Sequence, residues 1–155
     1  MPTAAELVVG AEFADLEEVA AFAGWTVAVL NTLEFVVGLK AADGSPFWVI
    51  CEADGYKATP PAWRWCDPQG GERDQLHSAP RAGGSAFLHD SGVICAPWNR
   101  LAYKTVDARG PHSDWTIGNW QDNGYTGACK TLTAMVIRIE IELKSRIIGR
   151  VLVAA

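Results

Sequence analysis

No long hydrophobic run occurs in this chain of 155 residues. Its apolar runs are short, Val27 to Leu30 and Phe47 to Cys51 among them, whereas a membrane-spanning helix needs about 20 such residues. No basic residue precedes Lys40, so the charged start of an export signal is missing. We therefore expect a cytoplasmic protein with no membrane contact. An excess of positive charge is also lacking: 13 Lys and Arg stand against 18 Asp and Glu, a net charge of −5. A protein that grips nucleic acid through a basic face needs the opposite balance, and no nucleic-acid partner is expected. Internal repeats, low-complexity tracts and linkers are absent too. The length falls within the ~100–200 residues usual for one domain, which points to a single domain over residues 1–155. At 49% hydrophobic and 20% charged, the chain is too apolar to stay disordered.

Cys51, Cys66, Cys95 and Cys129 form no CxxC pair, and their spacings match no zinc pattern. The three histidines, His77, His89 and His112, include no pair three or four apart, so no metal is expected. Without an export signal the cysteines should be reduced thiols. Cys51, Cys66 and Cys129 read most simply as small buried hydrophobes.

Apolar residues Phe13, Leu16, Val19, Ala20 and Ala23 recur at helical spacing with acids opposite. This predicts an amphipathic helix over Ala11–Ala23, ended by Gly24. Its acidic face, Asp15, Glu17 and Glu18, is expected to be solvated, with contact to a partner as the alternative. Four segments of strand type follow: Trp25–Leu30, Glu34–Lys40, Phe47–Glu52 and Ala62–Cys66. Asp43-Gly44 suits a tight hairpin between the second and third, and short connections throughout predict an antiparallel meander. Trp63 and Trp65 share a face at strand period and read as core. Asp67 to Gly92 is expected to be irregular, and loops of that length are often functional. A second irregular region, Pro97 to Gly127, holds Trp98, Tyr103, Trp115, Trp120 and Tyr125 and should be packed. Lys130 to Arg146 puts Leu132, Met135, Val136, Ile139 and Leu143 on one face and Arg138, Glu142 and Arg146 mostly on another. Val136 to Leu143 also alternates, so a strand competes, but length and helix-forming residues favour a helix.

The order of helix, meander, double proline, long loop, cysteine and helix resembles the ubiquitin-conjugating enzyme family. After its third strand that family has a Tyr-Pro-x-x-Pro-Pro segment. Here Tyr56-Lys57-Ala58-Thr59-Pro60-Pro61 keeps the tyrosine and both prolines at the same spacing. The family's thioester-bearing cysteine ends a turn of the type Asn-Gly-x-Ile-Cys, matched here by Ser91-Gly92-Val93-Ile94-Cys95. A tryptophan and then Leu-Thr open the next helix, as Trp115 or Trp120 and Leu132-Thr133 do here. The family's His-Pro-Asn triplet is missing: its positions read Ser85-Ala86-Phe87, and His77-Ser78-Ala79-Pro80 is a displaced echo. The connection from Cys95 to the late helix is longer than usual, and the family's last helices have no counterpart before residue 155. This pattern is similar to the divergent prokaryotic branch. The resemblance implies an α+β fold with an N-terminal helix, a four-stranded antiparallel meander, an active-site loop and a C-terminal helix. It implies an enzyme whose Cys95 accepts a ubiquitin-like protein as a thioester from an adenylating activating enzyme and passes it to a target amine. An isopeptidase of the same pathway is a further implied partner. No small-molecule cofactor is implied, because the activating enzyme uses the ATP.

Exchange of one thioester for another needs a thiolate, which is both nucleophile and leaving group, on a constrained and partly exposed turn. Transfer to an amine needs donors for the oxyanion and a group that takes a proton. Asn99 is the nearest side-chain amide, weighed against a plain turn or capping role, with Asn119 and Asn123 as alternatives. His89 or His112 could serve as base, and Asp114 or Asp122 could orient the amine. The candidate catalytic set is therefore Cys95, Asn99 and His89. Two other readings stay open. One is a catalytically inactive domain of the same fold that binds a ubiquitin-like protein or a partner enzyme. The other is a small hydrolase with a Cys–His pair.

Overall fold

The N-terminal helix starts earlier than its apolar stripe suggests. In the computed structural model, which describes residues 1–81, 83, 85–125, 129–145, 147, 149 and 150, helix α1 spans Ala4–Ala23. The cause is a capping box. The Thr3 hydroxyl accepts from the Glu6 amide at 3.1 Å, and the Glu6 carboxylate accepts from the Thr3 amide at 2.7 Å. Gly24, at φ 76°, ends the helix in the left-handed conformation that glycine adopts without strain. Val9, Leu16 and Ala20 are buried, while Asp15, Glu17 and Glu18 are exposed.

Strands β1 (Thr26–Asn31), β2 (Glu34–Lys40), β3 (Pro46–Glu52) and β4 (Ala62–Cys66) form one antiparallel sheet in chain order. Phe35 lies opposite Cys51, which lies opposite Trp63; Val37, Val49 and Trp65 line up likewise. These six belong to the core shared with Leu16 of α1, and the two tryptophans are 0% and 2% exposed. Helix α2, Leu132–Ser145, closes the same side. The alternating Val136–Leu143 stretch is helical because that geometry puts Leu132, Met135, Val136, Ile139 and Leu143 together, and all five are 0% exposed. Glu142 departs from the sequence expectation: it is 6% exposed, with its carboxylate on Arg138 at 2.7 Å. Arg146 and Gly127, the expected ends of the helix and of the second irregular region, lie outside the described residues.

The long stretch after β4 is ordered where it meets the sheet's other face. Val36, Ile50 and Cys66 form a small apolar cluster there, and Gly70 sits on Val36, Leu30 and Ile50 so closely that a side chain would not fit. Arg73 anchors this cover between Glu34 (2.9 Å) and Glu52 (2.8 Å). A short strand β5 (Pro80–Arg81) then pairs with β6 (Gly149–Arg150). At the opposite margin β1 has one strand neighbour among the described residues, and Val29 and Leu30 are exposed.

Glu12 of α1 joins three parts of the chain. Its carboxylate accepts from the Tyr56 hydroxyl (2.8 Å), the Lys57 ammonium (3.1 Å) and the Leu132 amide at the start of α2 (2.8 Å). Removing it leaves the helix-terminal Leu132 N–H without its acceptor and the tyrosine hydroxyl with only the longer contact to Lys130 O at 3.4 Å. With charged hydrogen bonds worth about 1.5–3 kcal/mol, we expect Glu12→Ala to lower stability by roughly 2–4 kcal/mol in urea unfolding, and Glu12→Gln by less.

Candidate functional site around Cys95

A tight turn carries the cysteine. Leu88 and Ile94 form an antiparallel bridge. The His89 amide donates to Val93 O (3.2 Å), the Gly92 amide to His89 O (2.9 Å) and the Cys95 amide to Phe87 O (2.7 Å). Gly92 has φ +90°, a conformation that the turn requires and other residues adopt only with strain. On the near side the Ser85 hydroxyl accepts from the Phe87 and Leu88 amides, both at 3.0 Å.

Asn99 fixes the far side. It is 0% exposed. Its side-chain oxygen accepts from the Trp63 amide in β4 (3.0 Å) and from the Leu101 amide (3.3 Å), while its nitrogen donates to Ile94 O (2.8 Å) and Trp63 O (3.4 Å). The Arg100 amide adds a bond to Pro61 O (3.0 Å), and its guanidinium reaches Glu52 O (2.7 Å) and the Asp54 carboxylate (2.5 Å). The Asn99 amide thus clamps the cysteine turn to the sheet. Both of its N–H groups are engaged by backbone carbonyls, in the capping and turn role weighed from the sequence.

Cys95 itself is 2% exposed, not partly exposed as the sequence led us to expect. The turn packs inward: Val93 clusters with Ala62 and Leu101, and Ile94 and Ala96 belong to the main core. Burial alone pushes its thiol up to about 11. His89 does not offset this. Its Nε2 lies 3.1 Å from Ala86 O, to which it donates. Cys51 and Cys66 are buried with raised thiols, and Cys129 is half-buried. All four are free.

The second irregular region folds back as a packed wall. The Tyr103 hydroxyl donates to Pro97 O at 2.7 Å, two residues beyond Cys95. Tyr103 and His112 form a parallel bridge, with the His112 amide on Ala102 O (3.1 Å) and the Lys104 amide on His112 O (2.9 Å). Gly110 permits it, since a Cβ there would meet Tyr103 backbone at 2.7 Å. The His112 imidazole stacks on Trp115 at 3.4 Å and 5°, and its Nδ1 donates to Asp114 at 3.0 Å. Asp114, Asn119, Asp122 and Asn123 line one cavity of about 340 Å³. Sequence reasoning named these residues as alternatives for separate roles; it gave Tyr103 only as a packed aromatic and Ser85 only as a position of the missing triplet, and assigned neither its hydrogen bonds at the site. The run His112-Ser113-Asp114-Trp115 was the signal available for the pair and its stacking partner.

Among the described residues no three His, Cys, Asp or Glu side chains gather as metal ligands would, and no helix is long and apolar enough to cross a membrane. No family model, curated protein or solved structure matches this chain.

A thiol raised from 9.0 to about 11 holds on the order of a hundredfold less thiolate at pH 8. With iodoacetamide at that pH we expect Cys129 to be labelled first and Cys95 far more slowly, accelerating as pH rises toward 11. Asn99→Ala should both destabilise the fold, by about 2–4 kcal/mol for a buried amide's partners, and speed Cys95 labelling. Peptide mapping after timed quenching reads both.

Proposed function

We propose that the chain is a ubiquitin-conjugating-like carrier, a cytoplasmic transferase. Cys95 accepts a ubiquitin-like protein as a thioester from an adenylating activating enzyme and passes it to a target amine, and an isopeptidase of the same pathway reverses the modification. The observation that carries this reading is a cysteine held in a hydrogen-bonded turn between the four-stranded meander and the closing helix, with no histidine or charged group acting on its sulfur among the described residues. A hydrolase with a Cys–His pair needs an imidazole beside the thiol to generate its nucleophile. A carrier does not have the same need, because it exchanges one thioester for another at little energetic cost. The α+β order of elements also supports the reading. Loading requires the sulfur to leave its burial, by a local opening of the 88–94 turn.

That burial favours a second reading. A cysteine at 2% exposure with a raised thiol fits a domain that binds a ubiquitin-like protein or a partner enzyme without taking the acyl group.

Incubation with ATP, the cognate activating enzyme and its ubiquitin-like protein separates the two. The carrier gives an adduct on non-reducing gels that disappears with reductant and is absent from Cys95→Ala. If the activating enzyme charges itself but no adduct forms here, the carrier reading falls and the binding reading stands.

A further inference from the structure

We infer that the open edge of β1, with the apolar groove beside it under α1, receives an extended segment of a partner protein that is apolar at alternate positions and carries Lys or Arg at its ends. The inference does not rest on Cys95 or on the carrier reading.

β1 is the strand that the fold leaves bare. Five of its six residues are exposed, while β2 and β3 are mostly buried, and it has one strand neighbour among the described residues. A strand in that position turns half of its N–H and C=O groups away from its neighbour. Pairing with β2 is regular from Thr26 to Val29 and shifts only before Asn31. No Lys, Arg or Pro lies in Thr26–Asn31 to blunt the edge. Backbone groups so placed select an extended chain.

The groove decides which side chains that chain carries. It measures about 520 Å³, and its walls include Glu6, Val9, Gly10 and Phe13 of α1 with Val29 and Phe35 of the sheet. Val29 lies opposite Phe35, a core residue, so both face α1, and Phe13 packs on Phe35 at 5.1 Å. A strand laid along β1 sends every second side chain to that same face and so into the groove. There an aliphatic side chain would cover the exposed Val29.

Gly10 is an independent sign of an occupant. It sits inside α1, where glycine costs helix stability relative to alanine. Nothing lies within 4 Å of the position its Cβ would take, so no contact among the described residues calls for a glycine. A chain seated in the groove does, because it passes close to the helix backbone.

Charge selects the ends. Residues 1–39 hold six carboxylates and no Lys or Arg. Of the six, only Glu12 and Glu34 pair with a cation among the described residues. Glu6, Gly10, Phe13 and Glu17 follow at spacings of four, three and four, which puts both acids on the stripe that borders the groove. Lys or Arg flanking the apolar positions complements this stripe. A second copy does not, because pairing β1 with its own equivalent about a two-fold axis sets two such acidic flanks side by side.

The probe is a peptide as long as β1, alternating valine and threonine, with a lysine added at each end. In 1H–15N spectra of the whole chain it should give saturable shifts at Gly10 and from Thr26 to Val29, with a Kd below about 1 mM. Replacing its threonines by prolines removes strand pairing, and replacing its lysines by glutamates reverses the charge; each change should weaken binding about tenfold or more. Gly10→Leu fills the groove from a position whose Cβ meets no other atom. It should leave the thermal midpoint unchanged or raised, yet weaken the lysine-ended peptide about tenfold or more. Val29→Lys, at an exposed position, should weaken it likewise. Shifts that do not saturate, or that persist unchanged in Gly10→Leu, overturn the groove as the site. Equal binding of the proline peptide overturns the strand mode, and equal binding of the glutamate peptide overturns the charge of the partner. A dimer in sedimentation that Val29→Lys dissociates gives the edge to a second copy and overturns the partner altogether.

Discussion

The Asn99 carboxamide is the contact on which the arrangement around Cys95 depends. One buried side chain satisfies the amide and carbonyl of Trp63 in β4, the carbonyl of Ile94 and the amide of Leu101. Each of these backbone groups would otherwise be buried without a partner, at a cost of about 1–3 kcal/mol. The turn before the cysteine, the short helical turn after it and the edge of the sheet are therefore one cooperative unit. Nothing smaller could hold them: an alanine has no polar atom, and an aspartate would place a second acceptor against two carbonyls.

That rigidity and the demands of thiol chemistry pull in opposite directions. The inward packing of Val93, Ile94 and Ala96 that makes the turn stable also removes the sulfur from water. Desolvation then works against the thiolate, with no compensating charge among the described residues. Reactivity in such a site is set less by the intrinsic thiol than by the free energy of opening the turn. The second irregular region has the reverse balance. There the part-buried His112 imidazole lies against the exposed Asp114 carboxylate and is held in place by the stacked Trp115.

Much of the scaffold was legible because its signals are local and periodic. The four strands, the hairpin at Asp43-Gly44 and the apolar face of α2 all follow from residue spacing. The first seven residues of α1 were not, since Ala4 to Gly10 carries little amphipathic contrast and the capping box at Thr3 and Glu6 decides the start. The burial of Cys95 was hidden for a different reason. A Gly-x-Ile-Cys turn specifies backbone shape, but the direction in which the turn packs depends on Val93 meeting Ala62 and Leu101, far away or across a turn in sequence. The role of Asn99 likewise required knowing that β4 passes beside it. The His112–Asp114 pair lay open to inspection, two residues apart, but its place beside Tyr103 depends on a loop returning through Gly110.

The exposed margin of β1 has a consequence for the behaviour of the protein in solution. Thr26 to Leu30 carries no charge, and Val29 and Leu30 face water on a strand whose second edge pairs with no other strand among the described residues. Such an edge is a template for adhesion between copies. The net charge of −5 opposes that adhesion by long-range repulsion, and the repulsion fades as the medium approaches the isoelectric point near 5.1. Mild acid and high salt thus weaken the same colloidal barrier, one by neutralising it and the other by screening it.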